Sequence, residues 1–254
     1  MFNVIYFSPT ETTKRVVTII SDTIALNKKE RDITLNADKN KLSFNENDFV
    51  LLGIPVYSGR VPLLANNIIS TMSGKNTPIA LVATYGNRDY DDALLELKTI
   101  VENNGFLTVA AAAFVTEHSI ARKFGAGRPN DDDIGEIRKF AELLSNKLKA
   151  WSKTNHIDLT VKGNPEYKEY KTIPIKPHST AHCIKCGVCS KNCPASAIPL
   201  NNPKKTDKNK CVTCVRCIRI CPINARCFSR IENFIAEKSL EKLCKEYKYP
   251  EIFI

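Results

Sequence analysis

Cys183-Ile184-Lys185-Cys186-Gly187-Val188-Cys189-Ser190-Lys191-Asn192-Cys193-Pro194 and, further on, Cys211-Val212-Thr213-Cys214-Val215-Arg216-Cys217-Ile218-Arg219-Ile220-Cys221-Pro222 decide how this chain is read. In each run the cysteines are separated by two, two and three residues and the last is followed by proline; the second run begins 28 residues after the first. Three thiolates at i, i+3 and i+6 wrap a single iron–sulfur cubane on one tight loop. Two other uses of eight cysteines compete. Disulfides would suit a small secreted domain, and nothing in the chain reads as secreted. Zinc takes Cys-x2-Cys pairs whose four ligands share one ion, a poor match to a run of four that closes on Cys-Pro. Cys227 and Cys244 lie outside the spacing and read as buried thiols, since free cysteine packs as a small hydrophobe.

The doubled run resembles the bacterial two-cluster [4Fe-4S] ferredoxins. In that family the fourth cysteine of each run points away and ligates the other cluster. The resemblance implies Cys183, Cys186, Cys189 and Cys221 for cluster one, and Cys211, Cys214, Cys217 and Cys193 for cluster two. It also implies a small α+β domain over residues 179–230, with Ile184, Val188, Ile198, Val212, Val215, Ile218 and Ile223 as apolar cover. Asn201 to Lys210 reads as a basic surface turn between the runs.

That unit takes about a fifth of the 254 residues, so the remainder is long enough to bury its own core. Met1 to Pro9 hold an apolar run too short for the h-region of a signal peptide and without a basic flank. No stretch approaches the ~20 apolar residues of a membrane span. The expectation is a cytoplasmic protein with no membrane contact, where thiols stay reduced. The net charge of +10 is unevenly placed: residues 1–150 carry 18 basic and 18 acidic side chains, whereas residues 179–230 carry 10 and 1. Positive charge beside a cluster favours its reduced state and a redox protein partner with an acidic docking face. Nucleic acid is not expected as a partner, because no aromatic-interleaved motif accompanies the basic patch.

The first 150 residues alternate. Strands are expected at Asn3–Phe7, Arg31–Leu35, Phe49–Gly53, Pro78–Ala83 and Thr108–Val115, and helices at Lys14–Leu26, Pro62–Met72, Asp92–Asn104 and from about Asp132 to Trp151. The helices show apolar faces at helical spacing, as with Val16, Val17 and Ile20. Phe49–Gly53 is continuously apolar, as strands buried on both faces are. Strands alternating with helices predict an α/β, doubly wound parallel sheet. The Gly125-Ala126-Gly127 fragment lacks a third glycine and does not follow a strand directly, which speaks against a Rossmann loop for NAD(P)H.

Residues 1–151 look like a flavodoxin domain, and the resemblance rests on three loops. It implies a five-stranded sheet of order 2-1-3-4-5 with FMN at the switch point. Ser8, Thr10, Thr12 and Thr13 resemble the family's hydroxyl-rich phosphate loop, where free N–H groups at a helix start attract an anion. Glu11 stands where the family usually has glycine; its carboxylate must turn to solvent or pair with Lys14 or Arg15. Pro55, Val56, Tyr57, Ser58 and Gly59 match the loop that flanks the flavin ring, with Gly59 letting backbone approach. Thr84, Tyr85, Gly86, Asn87 and Tyr90 match the loop whose aromatic stacks on the other face, with Tyr90 the first choice and Tyr57 the second.

The connection Glu117 to Asn130 is long for an αβ loop, and long loops often carry function. It leaves the same end of the sheet and brings His118, a candidate proton donor. The competing reading is a lid with His118 as an ordinary polar contact. Residues 152–178 read as a semi-rigid linker, with Pro165, Pro174 and Pro177 and no apolar period. Residues 231–254 read as a helix to about residue 247 and a tail. The whole resembles flavodoxin-domain proteins with a fused ferredoxin, which implies electron transfer among two [4Fe-4S] clusters, FMN and external redox partners. The alternatives are an FMN-dependent reductase with its own small substrate, and a cluster-based regulatory protein.

Overall fold

The computed structural model describes residues 1–25, 27–35 and 41–254. Its first unit is built from β1 (Phe2–Tyr6), α1 (Thr12–Ile24), β2 (Lys29–Asp32), β3 (Phe49–Pro55), α2 (Leu63–Ile69), β4 (Thr77–Tyr85), α3 (Ala93–Asn103), β5 (Phe106–Val115) and α4 (Asp131–Ala150). The expected end of the first helix, Leu26, lies outside the described residues. Strands β1 to β5 pair in parallel in the order β2-β1-β3-β4-β5, with Tyr6 opposite Gly53 and Pro55 opposite Thr84. The central strands are apolar throughout because helices cover both faces. One layer packs Val16, Val17 and Ile20 of α1 and Ile137, Phe140 and Leu144 of α4 on Val4, Leu51, Val82 and Ala112. The other packs Ala65, Ile69, Leu94 and Leu97 on Ile5, Leu52, Leu81 and Ala113. Gly53 lets α1 approach this closely, since a Cβ there would run into Val17 Cγ1. Asn130 accepts from Asp133 N at 3.0 Å and the Asp133 carboxylate answers to Asn130 N, which fixes the start of α4.

The second unit holds β6 (His178–Ser179), the one-turn helices α5 (Val188–Lys191) and α6 (Arg216–Arg219), and β7 (Arg226–Cys227), which pairs antiparallel with β6. Its two halves repeat one backbone path. Lys185 and Thr213, Gly187 and Val215, and Ser196 and Asn224 all have positive φ, each pair 28 residues apart. Ala197 N donates to Cys193 Sγ at 3.3 Å, and Ala225 N donates to Cys221 Sγ at 3.2 Å.

The tail departs from expectation. Helix α7 (Arg230–Glu241), capped by Ser229 and Glu232, ends earlier than the sequence suggests. The chain then crosses the first unit and adds β8 (Glu251–Phe253) antiparallel to β5, Ala112 facing Ile252. The sheet thus has six strands, not five. The reason is physical: the outer edge of β5 offers unpaired backbone groups, and a short strand satisfies them. The linker is irregular and is held to the first unit by backbone bonds, Asp92 accepting from Asn164 N and Lys168 N, both at 2.8 Å. Among the described residues no helix is long and apolar enough to cross a membrane.

Candidate functional site

Cys183, Cys186, Cys189 and Cys221 line one cavity, together with Arg226. The fourth cysteine of the second run therefore stands with the first three of the first run. At the other centre burial pushes the Cys214 thiol up to about 12, and its thiol neighbours Cys217, Cys193 and Cys211 add to the rise. Cys217 is pushed up to about 11, again chiefly by burial. Such thiols keep their protons until a metal displaces them. Among the described residues no three Cys, His, Asp or Glu side chains close on a point that one ion would fill; the thiols ring cavities.

Cys244 is buried behind Gly86 and Cys227 lies beside His178, and neither lines the cavity of the first cysteine set.

At the other end, three loops leave the carboxyl ends of β1, β3 and β4. In the first, Ser8 Oγ accepts from Lys14 N at 3.0 Å, and the Thr10 and Thr12 hydroxyls stand 3.1 Å apart. Thr13 is turned inward, its hydroxyl bonded to that of Thr84 at 2.7 Å, so both serve the core. Glu11, at φ 66°, begins α1 without capping it, so Ser8 Oγ, on Lys14 N, serves the first turn of that helix in its place. Glu11 pairs with Lys14 at 3.4 Å, as the sequence allows, and also with Arg216 at 3.3 Å. Arg216 lies between Cys214 and Cys217 of the second cysteine run, and the same nitrogen donates to Pro9 O at 3.3 Å, while its Nε is buried without an acceptor. Nothing local in the sequence marks this residue, which is 205 positions from Glu11.

The second and third loops wall a cavity of about 310 Å³. Val56, Ser58 and Gly59 line one side and Tyr85 and Gly86 another; Ile173 to Ile175 of the linker and Ile235 and Leu240 of α7 roof it. Pro55 closes β3 below it. Tyr90 does not line it. Its ring is fully buried, packed against Tyr85 with centroids 5.4 Å apart, and its hydroxyl donates to Glu251 at 2.7 Å. The expected stacking role of Tyr90 is therefore corrected: a ring consumed by the core has no free face, and Tyr85 takes the wall. Asn87 is also turned away, donating to Cys244 O and Glu246 O at 2.9 and 3.0 Å. Tyr57 lines a neighbouring cavity of about 200 Å³ that also contains Val56, His118, Cys211 and Thr213. Burial pushes its phenol well above the usual range, and nearby Cys214 adds to this.

His118 lines both cavities. Its Nδ1 accepts from Ile120 N at 3.2 Å and Ala121 N at 3.0 Å, which fixes the neutral tautomer with the proton on Nε2. Burial, helped by Arg88, pulls its pKa down to about 4. His118 is thus a hydrogen-bond donor at neutral pH and holds no second proton to give away. Gly86 packs against it, and a Cβ there would meet His118 Cδ2 at 2.6 Å. The two units are tied at this end by Arg216 and by Arg219 donating to Glu117 at 2.7 Å, and Lys176 of the linker donates to Thr213 at 2.9 Å.

Comparison with known proteins bears most directly on the second unit: the profile of the 4Fe-4S dicluster domain family matches residues 176–222. Among solved structures the chain is similar to the Streptococcus pneumonia TIGR4 flavodoxin, at 15% identity over 57% of this chain and 98% of that one, with a TM-score of 0.40. A flavodoxin from the domain Archaea gives 15% identity over 58% and 98%, TM-score 0.39. The two-electron reduced flavodoxin of Megasphaera elsdenii gives 16% over 56% and 99%, TM-score 0.37. The fold assignment rests on the strand order and not on these likenesses. No curated protein matches the chain. The chain carries a flavodoxin-like fold followed by a 4Fe-4S dicluster domain.

Proposed function

We propose that this chain is a cytoplasmic electron-transfer iron–sulfur flavoprotein that holds two [4Fe-4S] clusters and one FMN and exchanges electrons with an acidic redox protein. The observation that carries this reading is the shared cavity in which Cys211 and Thr213 of the second cysteine run meet Val56 and Tyr57 of the second loop and His118 of the loop after β5. It supports a path in which cluster two would neighbour the flavin, with Cys183, Cys186, Cys189 and Cys221 holding cluster one at a separate cavity.

The residues fit the groups. Ser8, Thr10 and Thr12, with the N-terminus of α1, which Glu11 does not cap, suit a phosphate, and Lys14 and Arg216 outweigh Glu11. Gly59 and Gly86 are sites where backbone comes close, and Tyr85 and Val56 offer the flat apolar walls a flavin ring needs. His118 presents Nε2–H to a ring carbonyl or nitrogen. The clusters supply single electrons, and FMN, when bound, takes one or two. The chain's own contribution is to hold these centres close, dry and in positive surroundings. The linker and α7 roof the ring cavity, so a protein partner reaches the clusters first. The exposure of Ile184 and Cys186, amid basic residues, supports docking on the outer face of cluster one.

The second reading, an FMN-dependent reductase with its own small substrate, is favoured by the cavity of about 200 Å³ beside His118. Anaerobic rapid mixing with a one-electron donor tests the first. Flavin reduction should be slowed severely in Cys214→Ala, which loses a ligand of cluster two while leaving the flavin loops intact. Unchanged flavin reduction in that variant would sink the relay. His118→Ala separates the two readings: a carrier keeps its transfer rate, whereas a reductase loses turnover.

A further inference from the structure

The largest fully buried side chain among the described residues is a cation, Arg226 on β7, 2% exposed. Its terminal nitrogens are occupied by neutral acceptors. Nη1 donates to Ser179 Oγ at 3.1 Å and Pro203 O at 3.0 Å; Nη2 donates to Thr206 Oγ1 at 2.5 Å and Pro177 O at 3.3 Å. Nε is buried with no acceptor. No carboxylate pairs with Arg226 among the described residues. An enclosed guanidinium with only neutral partners is an unbalanced charge, and buried charges are normally paired.

The internal repeat sharpens the point. Arg226 follows Cys221 by the interval at which Ile198 follows Cys193, and Ile198 is apolar and buried. Each is preceded by an alanine whose N–H donates to the cysteine sulfur. One half of the repeat therefore places an isoleucine, and the other an arginine, at the same station. The arginine lines the cavity of cluster one.

We propose that Arg226 is the counter-charge of cluster one, its Nε–H donating to cluster or thiolate sulfur, and that it raises the reduction potential of that cluster. The proposal rests on the two-cluster reading above. A cluster held by four thiolates is an anion that gains a further negative charge on reduction. A fixed buried cation stabilises the reduced form more than the oxidised one, and hydrogen bonds to sulfur act in the same direction. Each step adds one electron to a cluster from an external one-electron donor; no bond to Arg226 forms or breaks.

The test is an anaerobic redox titration of the full chain followed by EPR, with iron and sulfide counted in every sample, for wild type, Arg226→Gln and Arg226→Lys. Arg226→Gln keeps an amide for the carbonyls and loses the charge. It should move the midpoint potential of one cluster down by at least a tenfold change in the reduction equilibrium, ~59 mV for one electron. Arg226→Lys keeps the charge and should move it less. Clusters retained in Arg226→Gln with both potentials unmoved would overturn the proposal. Loss of iron in Arg226→Gln, with retention in Arg226→Lys, would support it, because the charge is then what the clusters need. Equal loss in both would overturn it. A wild-type protein that binds no iron would instead sink the cluster reading itself.

Discussion

Replacing Arg216 by alanine tests whether the second unit completes the phosphate loop of the first. The loop carries one carboxylate, Glu11, and two cations, Lys14 and Arg216, within 3.4 Å of it. The lysine is 43% exposed and screened, whereas the arginine side chain is 11% exposed. Losing the arginine leaves Glu11 and Lys14 to cancel, so the dianion meets only the helix N–H groups. A charge-assisted hydrogen bond of this kind contributes about 1.5–3 kcal/mol. At ~1.4 kcal/mol per factor of ten, FMN should bind about 10- to 100-fold more weakly. The assay is quenching of flavin fluorescence on titrating FMN into flavin-stripped protein, with riboflavin as control. Riboflavin has no phosphate, so its affinity should not change. Equal FMN affinity in wild type and Arg216→Ala, or equal losses for FMN and riboflavin, would refute the reasoning. Glu11→Gly, which restores the residue usual in flavodoxins, should tighten FMN.

Three further outcomes follow from the geometry. His118 is held neutral with its pKa lowered to about 4, so the unfolded chain binds more protons between that value and its ordinary 6.5, and stability falls as pH drops through this window. Between pH 7.5 and 5.0 the loss from this residue is about 2 kcal/mol; urea unfolding should show it in wild type and not in His118→Gln. Tyr85→Leu should weaken flavin binding severalfold, while Tyr90→Phe should leave it unchanged and cost about 1 kcal/mol of stability through the lost Glu251 bond; the reverse pattern in fluorescence titrations would restore Tyr90 to the site. Gly86→Ala forces a Cβ to 2.6 Å from His118 and should disturb the ring cavity, read as weaker flavin binding with little change in cluster content.

The parts of this molecule visible in its sequence are those where chemistry or burial dictates spacing. Cluster ligation needs thiolates at fixed steps, so both cysteine runs declare themselves. Strands covered on two faces are continuously apolar, so β3, β4 and β5 do too. Strand β8 was hidden because three residues after a proline carry no period; the free edge of β5 selects it. Tyr90, the first choice for stacking, is set in the core instead because loop identity does not say which aromatic faces inward, and its partner Glu251 is distant in sequence. Arg216 depends on contact between units and has no local signature. Arg226 did have one: aligning the two halves at their 28-residue offset sets it against Ile198.

The most direct measurement is the cofactor content of freshly isolated protein under anaerobic conditions: iron, acid-labile sulfide and flavin per chain. The account predicts about eight irons, about eight sulfides and about one FMN. About four irons would contradict two clusters, and eight irons with no flavin even after FMN is added would reduce the first unit to a docking platform and contradict the relay.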